Sequence, residues 1–246
     1  MSSFQQILKS MPPVTKNLIA VNMLVFLMMA LVPGVSNGVD HYGALHYYEA
    51  TDFNVVQLVT YMFVHGGFTH LLFNMFTLFM FGITLEYTLG SKRFLLFYMV
   101  CGVGAALIQE AVWSFTLPDM AIKYLARVND VSVFDIQKEL IYRPELLTPW
   151  FNVFTTVGAS GAIYGVLLAF AMLYPNRPLY FMFIPLPVKA KYMAMVWIAL
   201  ELLLGLSTDR DGIAHFAHLG GMIFGFMLIY YWKKTGKISG GFGGGY

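Results

Sequence analysis

Apolar residues are gathered into six long stretches along the chain, separated by shorter and more polar segments. The stretches cover about residues 17–33, 68–88, 93–113, 152–173, 190–206 and 214–232. A helix that spans a bilayer needs about 20 predominantly apolar residues. The pattern therefore predicts an all-α, polytopic membrane protein with six transmembrane helices.

The composition excludes a soluble globular domain. Hydrophobic residues make up 58% of the 246 residues and charged residues only 11%, whereas soluble domains are about a quarter charged. The net charge of +2 gives no reason to expect a nucleic-acid partner, and the single cysteine, Cys101, forms no intrachain disulfide. We expect membrane lipid around this chain.

Basic residues are distributed unevenly between the two sides of the predicted spans. With the N-terminus inside, ten of the fifteen Lys and Arg residues fall on the inner side. The positive-inside rule counts these residues, so both termini are expected in the cytoplasm. We divide the chain into a cytoplasmic N-terminus (1–16), a membrane domain (17–232) and a flexible glycine-rich tail (233–246).

Two shorter helical segments are predicted between the spans. The stretch "FNVVQLVTYMFVH" in the first loop (34–67) is too short to span and is interrupted by Asn54 and Gln57, so we expect an interfacial helix. The segment "VFDIQKELIY" in the third loop (114–150) has helical periodicity.

The fourth apolar stretch has a weak helix start. Pro149, Asn152 and Gly158 precede Ser160, so regular helix is expected to begin near Ser160 and to end before Pro175. Such a helix has about 14 residues and a length of about 21 Å, against a hydrocarbon core of about 30 Å. Ser160 is therefore expected at a recessed helix tip, beside a wet pocket that opens to the outside.

Ionisable side chains within apolar helices are costly and mark candidate functional sites. Glu86 and Glu110 lie at helix ends, where exposure or snorkelling explains them. Glu201 lies deeper, and we interpret it as a packed or snorkelling carboxylate outside the chemistry. His215 and His218 lack carboxylate ligands and an H-E-x-x-H motif, so we expect no metal, and no cofactor either.

Ser160 and His218 form the strongest candidate pair. Gly161 and Gly165 follow the serine, and a second G-x-x-x-G pair begins at Gly221; such pairs let membrane helices approach closely. A serine hydroxyl becomes a nucleophile when an adjacent base accepts its proton, and neutral histidine suits that task. No Asp or Glu stands at an evident orienting position, so a dyad is favoured over a triad.

Further polar groups fall at a similar depth. His70 and Asn74 stand at i and i+4 and can both donate hydrogen bonds. Together with the backbone N–H of Ser160 at a helix N-terminus, they would suit an oxyanion hole. Tyr164, four residues after Ser160, could stack on the ring of His218 and fix its orientation.

Simpler interpretations stay open. The run from Gly158 to Gly161 could serve only helix packing, and a membrane histidine more often links helices than acts as a base. His70 and Asn74 could be interhelical polar contacts. What favours a catalytic site is the convergence of these groups at one depth around a recessed helix start.

These segments resemble the rhomboid family of intramembrane serine proteases over about residues 17–232. The resemblance rests on "HGGFTHLLFNMFTLFMFG", "GASGAIYG" and "AHFAHLGGMIFG", in this order along the chain. It implies a rhomboid-like bundle of six helices of prokaryotic type. The expected location is a bacterial cytoplasmic membrane, with the active site open to the outside.

Residue by residue, the resemblance implies that Ser160 is the nucleophile and His218 the general base and acid. His70, Asn74 and the Ser160 N–H would form the oxyanion hole. The expected supporting residues are Tyr164, Gly158, Gly161 and Gly221. Substrates of the family are single-span membrane proteins, which are thought to enter between the second and fifth helices, under a cap at about 206–212.

Two alternatives to an active serine endopeptidase remain. A proteolytically silent relative would bind or escort membrane proteins, but such relatives usually lack the serine or the histidine, and both are present here. A small transporter would use the polar groups at mid-depth, and it predicts solute flux that a serine-reactive phosphonate does not affect.

Overall fold

The computed structural model describes residues 10–32, 34–181, 184–206 and 214–238, and this part of the chain is mostly helical. Its six longest helices are α1 (Pro13–Leu31), α2 (Phe68–Leu89), α3 (Ser91–Val128), α4 (Ser160–Leu173), α5 (Ala190–Gly205) and α6 (His215–Lys234). Each of them lies on one of the six apolar stretches of the sequence.

Some predicted features lie outside the described residues. They are the first nine residues of the N-terminal segment, nearly all of the cap expected at 206–212, and the glycine-rich tail from residue 239 onward.

Large apolar side chains cover the outer faces of the helix bundle. Leu24 on α1, Phe73 on α2 and Leu203 on α5 are all more than half exposed. By length and composition, α1, α2 and α3 can cross a membrane, and α4 is a shorter apolar helix. Extended exposed apolar surface of this kind requires an apolar surrounding, so the chain is an integral membrane protein.

α3 is longer than the sequence pattern predicted. We expected this helix to end at residue 113, but it continues through Pro118 to Val128 and contains 38 residues. Leu117 and Ala121 remain buried on the extension. The extension is more polar than a span, yet it keeps one apolar face against neighbouring segments, and one such face is enough to sustain a helix.

The end of the first loop belongs to the protein core. Within the stretch expected to form an interfacial helix, two successive short turns of helix lie at Gln57–Thr60 and Tyr61–Phe63. Tyr61 and Met62 are fully buried, and the Tyr61 hydroxyl donates a hydrogen bond of 2.7 Å to the carbonyl oxygen of Gly102 on α3. Helix therefore forms within the predicted stretch, but it is shorter than expected, and these side chains pack inward against α3.

The remaining described elements are short. They are the helices Val35–Gly43, Val133–Tyr142, Pro144–Leu147 and Thr148–Phe151 and the strands β1 (Leu45–His46), β2 (Thr155–Thr156), β3 (Pro178–Phe181) and β4 (Ile184–Lys189). β1 pairs with β2 and β3 with β4, both antiparallel. The first pair ties the first loop to the segment just before α4, and the second forms a hairpin between α4 and α5. The helix at 133–142 lies where its periodicity predicted it.

Glu86 and Glu110 are buried, so the expectation of exposed or snorkelling carboxylates is wrong. Glu86 accepts hydrogen bonds from the backbone N–H of Val14 at 2.9 Å and of Thr15 at 2.7 Å. It also accepts from the hydroxyls of Thr15 and Ser91. These bonds cap α1, whose first N–H groups have no acceptor within the helix. Glu110 similarly accepts a backbone N–H from the first loop at 2.9 Å.

We predict that Glu86→Ala destabilises the protein. The change leaves buried N–H groups at the start of α1 without their acceptor, and one hydrogen bond to a charged group contributes about 1.5–3 kcal/mol. We expect a loss of about 3 kcal/mol or more, measured as a lower midpoint of thermal unfolding in detergent. Glu145→Ala is the control, because Glu145 is 66% exposed. An unchanged midpoint for Glu86→Ala would show that the cap is not needed.

Candidate active site

Ser160 is the first residue of α4, and the chain reaches it through a sharp turn. Gly158 has a φ of +118°, a conformation that only glycine adopts without strain. α4 has 14 residues, the number expected from the weak helix start. At 1.5 Å per residue it is about 21 Å long, shorter than the hydrocarbon core of a bilayer.

Glycines bring the backbones of α4 and α6 into contact. A methyl group added at Gly221 would overlap the carbonyl group of Gly161, and one added at Gly165 would lie 2.9 Å from the carbonyl oxygen of Gly221. α3 lies against the same contact, since a methyl group added at Gly165 would lie 2.5 Å from the sulfur of Cys101. The structure therefore places both G-x-x-x-G pairs at one helix crossing.

This crossing places the candidate nucleophile beside the candidate base. Ser160 Oγ lies 2.8 Å from His218 Nε2. The ring of Tyr164 stacks on the imidazole, with centroids 4.1 Å apart and planes inclined by 10°. When His218 carries its proton on Nδ1, its Nε2 can accept the serine proton, which is the arrangement that activates a hydroxyl.

Hydrogen-bond donors from α2 lie against the turn that precedes α4. A methyl group at Gly158 would come within 2.6 Å of the His70 ring and 3.7 Å of Asn74 Nδ2, so this glycine makes room for both. Within the described part of the chain, the buried Asn74 amide nitrogen has no acceptor. The Ser160 N–H belongs to the first turn of α4, where no acceptor exists within the helix. These donors are available to a bound oxyanion.

His65 is a further neighbour of the site, and it was not predicted from the sequence. It is 2% exposed and packs edge-on against His70, with ring centroids 5.1 Å apart. Burial lowers the pKa of His65 to about 4, so its imidazole is neutral at pH 7. His65 thus supports His70 as an uncharged packing partner.

Glu201 is a packed carboxylate, one of the two arrangements predicted, but it packs against both histidines of α6. Its carboxylate is buried, with Oε1 3.0 Å from His218 Nδ1 and Oε2 2.6 Å from His215 Nδ1. The contact with His218 is close but out of line with the ring N–H, so it is not a well-directed hydrogen bond. A carboxylate therefore lies beside the candidate base, where the sequence predicted none.

The position of Glu201 beside His215 and His218 could be predicted only in part from the sequence. A carboxylate within a span needs a partner, and His215 and His218 share one face of α6 because they are three residues apart. The rotation and register of α5 against α6 decide whether these groups meet. The spacing of glycines in the sequence predicts the α4–α6 contact, but no comparable pattern predicts the α5–α6 contact.

The spacing of three side chains also raises the question of a metal site. The ligand atoms of Glu201, His215 and His218 lie within 4.8 Å of one another. Zinc bonds of 2.0–2.1 Å in a tetrahedral site would hold ligand atoms about 3.3 Å apart. The nitrogen–oxygen distances of 2.6 and 3.0 Å are shorter and match hydrogen-bonded groups. These distances fit a hydrogen-bonded network better than they fit a metal site.

Comparison with known proteins gives a consistent picture. The model of the Rhomboid domain matches residues 52–235. The chain is 30% identical over 175 residues to Rhomboid protease AarA of Providencia stuartii, covering 68% of this chain and 52% of that protein. It is 29% identical over 199 residues to RHOMBOID-like protein 6, mitochondrial, of Arabidopsis thaliana, covering 78% of this chain and 49% of that protein. The chain thus spans about half the length of these two curated relatives.

We predict that Gly221→Ala separates α4 from α6. The added methyl group meets backbone rather than a flexible side chain, and overpacking of this kind costs about 1–3 kcal/mol. A displacement of about 1 Å can slow a positioned reaction about 100-fold. We therefore expect a lower unfolding midpoint and about 100-fold slower labelling of Ser160 by a fluorophosphonate.

Gly38→Ala is the matched control, because an added methyl group there meets no atom within 4 Å. It should label at the wild-type rate. Wild-type labelling by Gly221→Ala would contradict the role given to the α4–α6 contact.

Proposed function

Because the chain belongs to the rhomboid family, we propose that it is an intramembrane serine endopeptidase that cleaves transmembrane segments of other membrane proteins. The observation that carries the proposal is the 2.8 Å contact between Ser160 Oγ and His218 Nε2 at the tip of a short apolar helix. The similarity to relatives named as rhomboid proteases supports it.

In the proposed reaction, Ser160 Oγ attacks the carbonyl carbon of the scissile peptide bond and passes its proton to His218 Nε2. The carbonyl oxygen becomes an oxyanion and accepts hydrogen bonds from the Ser160 N–H, the Asn74 amide and His70. Each donor of this kind is worth about 100-fold to 1,000-fold in rate. Tyr164 holds the imidazole plane during the transfer.

The tetrahedral intermediate then collapses. The carbon–nitrogen bond breaks, His218 gives the proton to the leaving amine, and an acyl ester remains on Ser160. A water molecule that loses its proton to His218 attacks this ester. The second intermediate releases the carboxylic acid product, and Ser160 Oγ regains its proton from His218.

We further propose that all six long helices cross a bacterial inner membrane, with both termini in the cytoplasm. The inward bias of Lys and Arg supports this orientation. The short α4 then places Ser160 several ångströms below the outer surface. Cleavage would occur near the outer end of a substrate helix, which must unwind locally after entering between α2 and α5.

We predict that Ser160→Ala and His218→Ala each abolish proteolysis and leave the fold intact. Each change removes one partner of the proton transfer, so we expect at least about a 1,000-fold loss of rate. The measurement is cleavage of a panel of tagged single-span proteins, reconstituted with the purified enzyme in liposomes and followed by mass spectrometry of the products.

Ser114→Ala and His41→Ala are the controls, because both residues lie outside the site and should leave cleavage unchanged. Normal cleavage by Ser160→Ala would contradict the proposed function. A wild-type protein that neither cleaves nor reacts with a fluorophosphonate would favour the silent relative, and phosphonate-insensitive solute flux would favour the transporter.

A further inference from the structure

Glu201 is a carboxylate that the membrane domain keeps buried. Only 6% of its surface is exposed, and an ionised carboxylate in such surroundings is costly unless it is paired. Its partners are the Nδ1 atoms of His215 and His218. One of them belongs to the proposed base, on whose ring Tyr164 stacks.

The two histidine contacts differ in quality. His215 Nδ1 and Glu201 Oε2 are hydrogen-bonded at 2.6 Å, whereas the 3.0 Å contact with His218 is out of line. His215 precedes His218 by one helical turn on α6. The short bond to His215 therefore holds the Glu201 carboxylate in place relative to α6, with its second oxygen beside His218.

We propose that Glu201 and His215 are a positioning pair for the proposed catalytic histidine. Glu201 holds His218 in the tautomer and orientation that accept the proton of Ser160, and His215 holds Glu201. The inference rests on the proposed serine protease function and extends it from a dyad to a network of four residues.

The chemistry of this network follows from the position of one proton. A proton on His218 Nδ1, which lies 3.0 Å from the carboxylate, leaves Nε2 free to accept the serine proton. Once that transfer occurs, His218 is a cation 3.0 Å from Glu201, and their attraction is stronger inside a protein than in water. The Nδ1 proton stays on His218, so Glu201 stabilises the intermediate without taking part in covalent chemistry.

The test compares four variants with the wild type: Glu201→Gln, Glu201→Asp, His215→Gln and the double variant Glu201→Gln/His215→Gln. For each protein, kcat and KM are measured with one cleavable single-span substrate. The second-order rate of fluorophosphonate labelling at Ser160 is measured as well, because it needs no substrate docking. Glu110→Gln is the matched control, since Glu110 is a buried carboxylate of another span.

We expect Glu201→Gln to lower kcat and the labelling rate about 10-fold to 100-fold, with KM unchanged. This is less than the about 10⁴-fold loss for a well-directed carboxylate in a soluble triad, because Tyr164 also holds the ring. Glu201→Asp keeps the charge and should recover part of kcat. His215→Gln should cost about 3-fold to 10-fold, the range expected for the loss of one hydrogen bond, and the double variant should be no slower than Glu201→Gln, because His215 acts through Glu201.

Wild-type kcat and labelling in folded Glu201→Gln would overturn the inference, as would losses that add in the double variant. A lower unfolding midpoint of Glu201→Gln with unchanged kcat and labelling would also overturn it, because the Glu110→Gln control can show the same purely structural effect. If Glu201→Gln does not fold, wild-type labelling by His215→Gln is the contradicting result. A wild-type protein without any reactivity at Ser160 would instead contradict the proposed function itself.

Discussion

The backbone contact between α4 and α6 at Gly161 and Gly221 controls the geometry of the site. The two helices are so close there that a methyl group on Gly221 would overlap the Gly161 carbonyl. Ser160 and His218 flank this contact on their own helices, so the distance between the helices sets the 2.8 Å between Oγ and Nε2. In lipid, apolar side chains give little drive for helix association, and close packing of small residues takes over that role.

Paired carboxylates are the second constraint that the membrane imposes. Glu86 caps α1, Glu110 binds the first loop, and Glu201 bridges two histidines of α6. Each is buried and each joins two separate parts of the chain. A charged group that water cannot reach must find its donors within the protein, so each carboxylate also fixes how its helix meets a neighbour.

The sequence predicted those features that depend on local pattern. Apolar length gave the six long helices, the poor helix formers before Ser160 gave the start of α4, and glycine spacing gave the faces where α4 and α6 meet. It missed features that depend on tertiary register. Leu117 and Ala121 stay buried on an extension of α3 that looked too polar, and Glu201 reaches His218 only through the rotation of α5 against α6.

The structure of the wild-type protein after reaction with a fluorophosphonate would give the most direct measurement. The phosphorus atom should be bonded to Ser160 Oγ, and the phosphoryl oxygen should lie about 3 Å from both the Ser160 N–H nitrogen and Asn74 Nδ2. That result would identify the nucleophile and its oxyanion donors together. An adduct on another residue, or a phosphoryl oxygen directed away from both donors, would contradict a serine protease built on the α4–α6 contact.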